Sequence, residues 1–178
     1  MNNLPVRRLF PTYYANDVAA VTPGFVQACG CKALLVDIDN TVSHVDAPDA
    51  VPMAVKWMSE SRAAGIRIAF ISNNDPPRVE PFAQKYNADY ICHAEKPKPG
   101  GYRAIARRLG CSDKECMVVG DQLFTDILGG NAAGMRTVIV RPLCEAEDPK
   151  AFRFRRKMEK LLLLLDRAIH GKRRVIGG

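Results

Sequence analysis

The sequence predicts an α/β fold with a doubly wound parallel sheet of five strands. Five short runs rich in Val, Ile and Leu recur without polar alternation, which is typical of strands covered on both faces. Helical segments separate these runs, and repeated alternation of strand and helix favours a parallel sheet with right-handed crossovers. A chain of 178 residues, 47% of them hydrophobic, is long enough to bury one full core.

The same patterns place the elements along the chain. A helical stretch over residues 16–29 comes before the first strand. The predicted strands are residues 33–36, 66–71, 89–91, 116–119 and 137–140. Proline and glycine residues mark the starts and ends of the helices between the strands. Pro52 begins a helix that ends at Gly65, residues 75–77 begin another, and Gly110 ends the helix over residues 102–109.

Charge divides the chain into two parts. Residues 1–149 hold 16 Lys and Arg against 17 Asp and Glu, whereas residues 150–178 hold 10 against 2. We therefore expect residues 1–149 to form the α/β domain, including an N-terminal segment, and residues 150–178 to form a basic amphipathic helix and tail of that domain. No run of 18 apolar residues indicates a membrane span, so a cytoplasmic protein is expected.

The predicted tail helix has an apolar and a basic side. The apolar side is formed by Met158, Leu161, Leu162, Leu165 and Ile169. The cations are Arg153, Arg156, Lys157, Lys160, Arg167 and Lys172 to Arg174. Such a helix either lies on an anionic membrane, gaining about 1 kcal/mol per cation, or packs its leucines on its own domain and leaves the cations solvated. Nucleic acid is disfavoured as a partner, because only Phe152 and Phe154 could stack on bases.

Two carboxylates, Asp37 and Asp39, follow the first predicted strand. Burying an unpaired carboxylate costs roughly several kcal/mol, so two of them at one strand end imply a cation between them. Mg²⁺ is a hard cation that prefers oxygen ligands and suits such a pair. Because ligands bind outside the carboxyl ends of the strands in open parallel sheets, the residues after the other strands test this interpretation.

The other predicted strands also end in polar residues. These are Ser72 and Asn73 after the second strand, Lys96 and Lys98 soon after the third, and Asp121 and Asp126 after the fourth. Taken alone, several of these residues could have a purely structural role instead. Ser72 could be a turn residue, Asp39 a helix cap, and Gly120 with Asp121 an ordinary strand-to-helix turn. Their shared place at one edge of the sheet favours a site.

The motifs around these residues resemble those of the haloacid dehalogenase (HAD) superfamily of aspartate-nucleophile phosphatases. In order, they are DIDNT from Asp37, ISNN around Ser72, AEKP around Lys96 and GDQLFTDILGGN from Gly120. With Leu4-Pro5 and the PTYY run at residues 11–14, they are similar to the YqeG-type branch of subfamily IIIA, whose relatives include phosphatidylglycerophosphate phosphatases. The resemblance extends roughly to Pro142 and implies a HAD-like Rossmann-type fold.

The resemblance implies that Asp37 attacks phosphorus and forms an aspartyl-phosphate. Asp39 would act as general acid and base, and its main-chain carbonyl would reach Mg²⁺. Asp121 would bind Mg²⁺ directly, and Asp126 would hold a metal-bound water or orient the lysine. The chemistry expected is that of a Mg²⁺-dependent phosphomonoester hydrolase.

The same resemblance implies that Ser72, Asn73 and Lys96 bind the phosphoryl group. Lys96 would also neutralise the nucleophile, with Lys98 as the alternative lysine. Like charges about 4 Å apart repel by roughly 4 kcal/mol at an effective dielectric near 20. A lysine and a metal ion are therefore needed where carboxylates meet a phosphate.

The spacing of the motifs leaves no room for a substantial cap domain. An uncapped site is open to large surfaces, which favours a lipid head group such as phosphatidylglycerophosphate as substrate, with the tail making a peripheral contact with an anionic membrane. A soluble HAD phosphatase for nucleotides, sugar phosphates or phosphoproteins is the alternative. A non-catalytic HAD-fold scaffold that binds a partner is a third interpretation, which the intact Asp37, Asp39, Lys96 and Asp121 disfavour.

Overall fold

The computed structural model describes residues 9–144, 150–170 and 175–176. A six-stranded sheet lies at its centre, and every neighbouring pair of strands is parallel. The strands are β1 (Tyr13–Tyr14), β2 (Ala33–Val36), β3 (Arg67–Ile71), β4 (Asp89–Ile91), β5 (Cys116–Gly120) and β6 (Arg136–Ile139), in the spatial order β1-β6-β5-β2-β3-β4. The predicted α/β fold class is confirmed.

The predicted count of five strands is wrong by one, because β1 was missed. This strand is two residues long and lies at the edge of the sheet, where Tyr13 and Tyr14 are in register with Val138 and Ile139 of β6. Two residues are too few to show a periodic pattern, so the sequence carried no strand signal there.

Six α-helices surround the sheet in the described part of the chain. They are α1 (Pro23–Ala28), α2 (Pro52–Ala63), α3 (Pro76–Lys85), α4 (Pro99–Arg108), α5 (Leu128–Ala133) and α6 (Lys150–His170). Proline lies in the first turn of α1 to α4, where its missing N–H costs no helical hydrogen bond. One helix each joins β2 to β3 and β3 to β4, so no cap domain interrupts these two connections.

The predicted helix over residues 16–29 is two shorter helices instead. A 3₁₀ helix spans Val18–Ala20, and α1 begins afresh at Pro23. Thr22 lies between them in an extended conformation, which the following proline favours, and its hydroxyl accepts a hydrogen bond from the Phe25 amide. The proline thus starts a new helix rather than continuing the first.

Alternate residues of β2 pack into different apolar clusters, as the strand period requires. Leu34 and Val36 belong to one cluster, and Ala33 and Leu35 belong to another. All four are fully buried. The strand is therefore covered on both faces, which explains its continuous apolar sequence.

The helix α6 packs on the domain through a face that the sequence analysis did not identify. Arg156, Glu159 and Asp166 are buried, and Asp166 accepts a 2.5 Å hydrogen bond from the Tyr14 hydroxyl. Leu162 and Leu163 pack beside them against the cluster that contains Tyr14. The expectation that the cations stay solvated is therefore wrong for Arg156.

The other predicted apolar residues of α6 face solvent. Met158, Leu161 and Leu165 are 43%, 60% and 49% exposed, so the expectation that the leucines pack as one face on the domain is wrong for them. Several residues of that prediction lie outside the described part of the structure: the side chains of Phe152, Arg153, Arg167 and Ile169, and residues 172–174. Among the described residues, no helix is both long and apolar enough to cross a membrane.

Candidate active site

A buried lysine joins two carboxylates at the carboxyl ends of the strands. The Nζ atom of Lys96 lies 2.6 Å from Oδ1 of Asp37, just after β2, and 2.7 Å from Oδ1 of Asp126. The side chain of Lys96 is only 5% exposed. Lys98 instead pairs with Glu95 on the surface, where its side chain is 72% exposed. Lys96 is thus the lysine of this site.

Asp121, which follows β5, completes a cluster of three buried carboxylates. Oxygen atoms of Asp37, Asp121 and Asp126 all lie within 4.8 Å of one another. The Asp121 side chain accepts hydrogen bonds from the Thr41 hydroxyl at 3.4 Å and from the guanidinium of Arg156. Arg156 also donates to the main-chain oxygen of Asp121 at 2.8 Å, so α6 is tied to the centre of the site.

Buried acid exceeds buried base around this cluster. The carboxylates are Asp37, Asp121, Asp126 and Glu159, and the buried cations that contact them are Lys96 and Arg156. The partly exposed Arg155 also pairs with Glu159 at 3.9 Å. Burial, opposed by Lys96, raises the pKa of Asp37 to about 8. Burial, opposed by Arg156, raises the pKa of Asp121 to about 7.

The electrostatics of the cluster fit a divalent cation. Burial would lower the pKa of Lys96, yet the pKa is held well above its usual value because Asp126 and Asp37 stabilise the charged form. The lysine is therefore charged and still leaves the carboxylates in excess. Three carboxylate oxygens in this spacing are the hard ligands that Mg²⁺ prefers.

The carboxylate of Asp39 is held outside the three-carboxylate cluster. Its Oδ2 accepts a 2.6 Å hydrogen bond from the Asn74 side chain. Its Oδ1 forms an ion pair with Arg78 at 2.7 Å and accepts a 3.2 Å hydrogen bond from the Asp46 main-chain amide. This separation is compatible with the predicted metal contact through the main-chain carbonyl. The sequence analysis gave Asn74 and Arg78 no role, because their contacts with Asp39 join residues 35 and 39 positions apart.

The loop after β3 supplies two side chains, Ser72 and Asn73, to the cavity, and one of them also contacts the lysine. The Ser72 hydroxyl accepts a 3.0 Å hydrogen bond from the Asn74 amide, which is the turn that the sequence offered as its alternative role. The Asn73 side chain accepts from the Lys96 amide at 2.7 Å and donates to the Lys96 carbonyl at 3.1 Å. The side-chain contacts of Asn73 therefore position Lys96.

Gly120 allows Asp126 to reach the site. A Cβ atom at Gly120 would lie 2.4 Å from Cγ of Asp126, a distance that real Cβ contacts do not show. Asp126 also accepts a 3.1 Å hydrogen bond from the Gln122 amide. The glycine is therefore required by this close approach.

Asp37 and Lys96 open into a cavity of about 310 Å³, whereas Asp121 and Asp126 are not part of its lining. The predicted site residues that line it are Asp37, Asp39, Ser72, Asn73 and Lys96. Gln122, Thr125 and Arg155 also line it, and the sequence analysis missed all three. Arg155 belongs to α6, whose basic residues were expected from the sequence to lie in solvent. A signal for it existed only in the three-dimensional packing of α6.

Comparisons with known proteins agree with this geometry. A model of the haloacid dehalogenase-like hydrolases matches residues 27–134. The chain is 32% identical over 153 residues to the probable phosphatase YqeG of Bacillus subtilis (strain 168), covering 86% of this chain and 88% of that protein. It is 31% identical to the chloroplastic phosphatidylglycerophosphate phosphatase 1 of Chlamydomonas reinhardtii, covering 84% of this chain but only 59% of that protein.

Solved structures share the fold at low sequence identity. An uncharacterized protein from Listeria monocytogenes serotype 4b superposes with a TM-score of 0.52 at 16% identity, covering 76% of this chain and 99% of that one. A phosphonoacetaldehyde hydrolase-like protein from Oleispira antarctica gives 0.51 at 20% identity, covering 66% and 50%. The predicted family and enzyme class are confirmed, and the chain belongs to the haloacid dehalogenase-like hydrolases as a phosphatase.

Proposed function

We propose that this phosphatase is a Mg²⁺-dependent enzyme that uses an aspartyl-phosphate intermediate and acts on a phosphorylated lipid head group such as phosphatidylglycerophosphate. It would work in the cytoplasm at the membrane surface. The observation that carries the proposal is an exposed apolar face on α6, the helix that also contributes Arg155 to the active-site cavity.

The proposed first step forms a bond between a carboxylate oxygen of Asp37 and phosphorus. The bond from phosphorus to the leaving oxygen breaks, and Asp39 gives that oxygen a proton. Lys96 contacts Asp37 at 2.6 Å and so stands where negative charge accumulates. Asn74 and Arg78 hold the Asp39 carboxylate in place for the proton transfer.

The second step releases inorganic phosphate. Asp39, now a base, takes a proton from a water molecule that attacks phosphorus, and the bond between phosphorus and Asp37 breaks. Asp37 is thereby restored. Mg²⁺, held by Asp37, Asp121, Asp126 and the main-chain carbonyl of Asp39, would supply positive charge to the phosphate oxygens and compensate the buried acid.

Four exposed residues of α6 form what we call the apolar stripe: Phe154, Met158, Leu161 and Leu165. Their spacing of four, three and four places them on one helical face. They are 72%, 43%, 60% and 49% exposed, and none of them belongs to the apolar core clusters. An exposed apolar face of this kind marks an interaction surface.

Charge favours an anionic membrane as the occupant of the apolar stripe. Lys157 and Lys160 are exposed on the same helix, and residues 150–178 hold 10 Lys and Arg against 2 acidic residues. A second copy of the chain would bring these cations against each other. Burying each large apolar side chain contributes roughly 1.5 to 3 kcal/mol, and each cation near anionic lipid contributes about 1 kcal/mol more.

The position of the stripe fits a lipid substrate. Phe154 at its end is next in sequence to Arg155, which lines the cavity with Asp37. A helix lying on the membrane would therefore hold the open cavity at head-group level. The similarity to the algal phosphatidylglycerophosphate phosphatase supports the same substrate class.

The direct test is phosphate release by the purified protein, with and without Mg²⁺. Phosphatidylglycerophosphate in anionic vesicles is compared with soluble phosphomonoesters such as sugar phosphates and nucleotides. We expect Mg²⁺-dependent release with the highest kcat/KM on the lipid. Hydrolysis of soluble esters without hydrolysis of the lipid would overturn the lipid proposal in favour of a soluble phosphatase, and an inert protein would favour a scaffold.

The double variant L161Q/L165Q tests the apolar stripe. Both residues are exposed, so the change should not disturb the core. We expect vesicle binding and lipid hydrolysis to fall roughly tenfold or more relative to hydrolysis of p-nitrophenyl phosphate, given the burial energy of two leucines. An unchanged ratio of the two activities would contradict membrane contact through this face.

A further inference from the structure

We infer that a second cavity, between α6 and the β1 edge of the sheet, binds an acyl chain of the lipid substrate. This cavity, which we call the α6 cavity, has a volume of about 420 Å³ and lies within the range of roughly 300 to 1,000 Å³ that is typical of ligand pockets. The apolar residues of its lining include Ile139, Val140, Pro142, Leu163, Leu164 and Val175. The inference deepens the proposed function and rests on it for the identity of the ligand.

The α6 cavity and the active-site cavity are neighbours. On α6, Arg156 lines the α6 cavity and Arg155 lines the active-site cavity. After β5, Asp121 lines the α6 cavity and Gln122 lines the active-site cavity. Because consecutive Cα atoms are about 3.8 Å apart, the two cavities approach each other to within one residue at two places.

The segment after β6 also runs from one cavity to the other. Arg141 and Pro142 line the α6 cavity. The next two residues contact Asn40, which lines the active-site cavity: the Leu143 amide donates to its main-chain carbonyl at 2.9 Å, and the Cys144 amide donates to its side-chain oxygen at 3.1 Å. A substrate whose phosphomonoester lies in the active-site cavity can therefore extend along this segment to the α6 cavity.

Hydrogen bonds hold the walls of the α6 cavity in place. The Ala15 amide donates to the Ile139 carbonyl at 3.0 Å, and the Ile176 amide donates to the Tyr14 carbonyl at 2.9 Å. The Tyr14 hydroxyl fixes the opposite wall, because it donates to Asp166 of α6 at 2.5 Å. A cavity that is formed before its ligand arrives costs less conformational entropy on binding.

The charge of the lining favours an anionic amphiphile as the occupant. Among the described lining residues, the acids are Asp121 and Glu159, and both pair with Arg156. Arg141 and Lys160 are two further cations of the same lining, so the lining as a whole is basic. An acyl chain attached to an anionic head group matches this combination of an apolar interior and a positive charge.

The α6 cavity also lies next to the apolar stripe that we propose to contact the membrane. Leu164 lines the cavity and is 63% exposed, so it stands at the opening. It is adjacent in sequence to Leu165 of the stripe and three residues after Leu161, a spacing at which helical residues are neighbours on the surface. A lipid in a membrane beneath the stripe would therefore meet the opening of the cavity.

The test uses short-chain substrates as monomers, below the concentration at which they form micelles, so that membrane binding does not contribute. Dihexanoyl and dibutanoyl phosphatidylglycerophosphate are compared with the deacylated head group, which has the same phosphomonoester and phosphodiester. One chain in the α6 cavity should lower KM roughly fourfold for each additional methylene group that is buried. We expect KM to be roughly tenfold lower for the dihexanoyl than for the dibutanoyl compound, with little change in kcat.

Two variants alter opposite walls of the α6 cavity. L164D places a charge in the wall formed by α6, and N16W narrows the cavity from the segment after β1. Both residues are exposed, so neither change should disturb the core. We expect each variant to raise KM for the dihexanoyl compound roughly tenfold more than for the deacylated head group. The matched control is V55D, which places the same charge on an exposed residue of α2 that lines neither cavity.

Equal KM values for the three compounds would overturn the inference. A chain-length dependence that L161Q/L165Q abolishes and L164D leaves intact would also overturn it, because the chain would then bind the apolar stripe. Hydrolysis of the lipid in vesicles would in either case leave the proposed function standing.

If none of the lipid substrates is hydrolysed, calorimetry with dihexanoyl phosphatidylglycerol separates the two ideas, since this probe has no phosphomonoester. Binding that L164D weakens and V55D does not would keep the acyl-chain site and overturn the lipid phosphatase. Absence of binding, or binding that L164D leaves unchanged, would overturn both.

Discussion

The strand-end site and the helix α6 supply charges to one cavity in two different ways. Asp37, Ser72 and Asp121 each come directly after a strand, so the parallel sheet itself brings them to one edge. Arg155 reaches the cavity and Arg156 reaches Asp121 from a helix, α6, whose contacts with Gln122 and Asp121 join residues 33 and 35 positions apart. The first set follows from topology, and the second depends on which face of a helix packs inward.

The difference shows that charge pairing, as well as hydrophobicity, orients α6. Its buried face carries Arg156, Glu159 and Asp166, while Leu161 and Leu165 remain exposed. A helix that followed hydrophobicity alone would turn its leucines inward. Changes in the strand-end site should therefore abolish chemistry, and changes in α6 should affect stability and substrate choice.

The largest expected effect comes from the strand-end site. The variant D37N keeps the size of the side chain and its place after β2 but removes the proposed nucleophile. We expect kcat to fall by on the order of 10⁴-fold or more, as is typical when a nucleophile is removed. Phosphate release measured with p-nitrophenyl phosphate checks this, with circular dichroism as the control for folding. Full activity in D37N would show that another group attacks phosphorus.

The next largest effect tests the anchoring of α6. The variant R156M leaves the buried Asp121 carboxylate without its guanidinium partner, and breaking a buried ion pair costs about 3 to 5 kcal/mol. The free energy of unfolding in urea, measured without metal, should fall by about that amount. K157M removes a charge from the adjacent, exposed position and should change it by less than about 0.5 kcal/mol. Equal effects of the two variants would mean that α6 is not anchored through Arg156.

The pH dependence of stability tests the carboxylate cluster that both regions share. The pKa values of Asp37 and Asp121 are raised from 3.8 to about 8 and about 7. Between those values the folded state binds more protons than the unfolded state, so the stability of the metal-free protein should fall as pH rises from about 4 to about 8. Above pH 8 both states are deprotonated at these groups and the fall should level off.

Mg²⁺ should offset this fall, because it binds the deprotonated carboxylates. At a hundredfold excess over its Kd it would stabilise the protein by about 2.7 kcal/mol, or roughly 5 to 10 °C in Tm for a chain of this size. The gain in Tm, measured by calorimetry, should be larger at pH 8 than at pH 5. A gain that is independent of pH would place the metal away from Asp37 and Asp121.

The sequence predicted those parts of the molecule that depend on local patterns. The apolar runs located five strands, of which β2 and β5 are buried along their whole length. The motifs after the strands identified Asp37, Lys96 and Asp121, which lie together in the structure. The edge strand Tyr13–Tyr14 is too short to have a pattern. The buried face of α6 was predicted wrongly because Arg156 contacts Asp121, a residue 35 positions away in sequence. The helical periodicity of the sequence carries no information about such a long-range contact.

The smallest expected effect concerns Gly120, where the loop after β5 and Asp126 meet. In G120A the added Cβ would lie 2.4 to 2.5 Å from Asp126, so Asp126 must leave the position in which it contacts Lys96. Such overpacking costs about 1 to 3 kcal/mol, and activity should fall with it because the lysine loses one of its two carboxylate partners. G24A is the matched control, since no atom lies within 4 Å of the added Cβ and alanine favours the helix α1. Urea unfolding and kcat of the two variants check this, and a G120A protein as active as G24A would mean that Asp126 does not need its observed position.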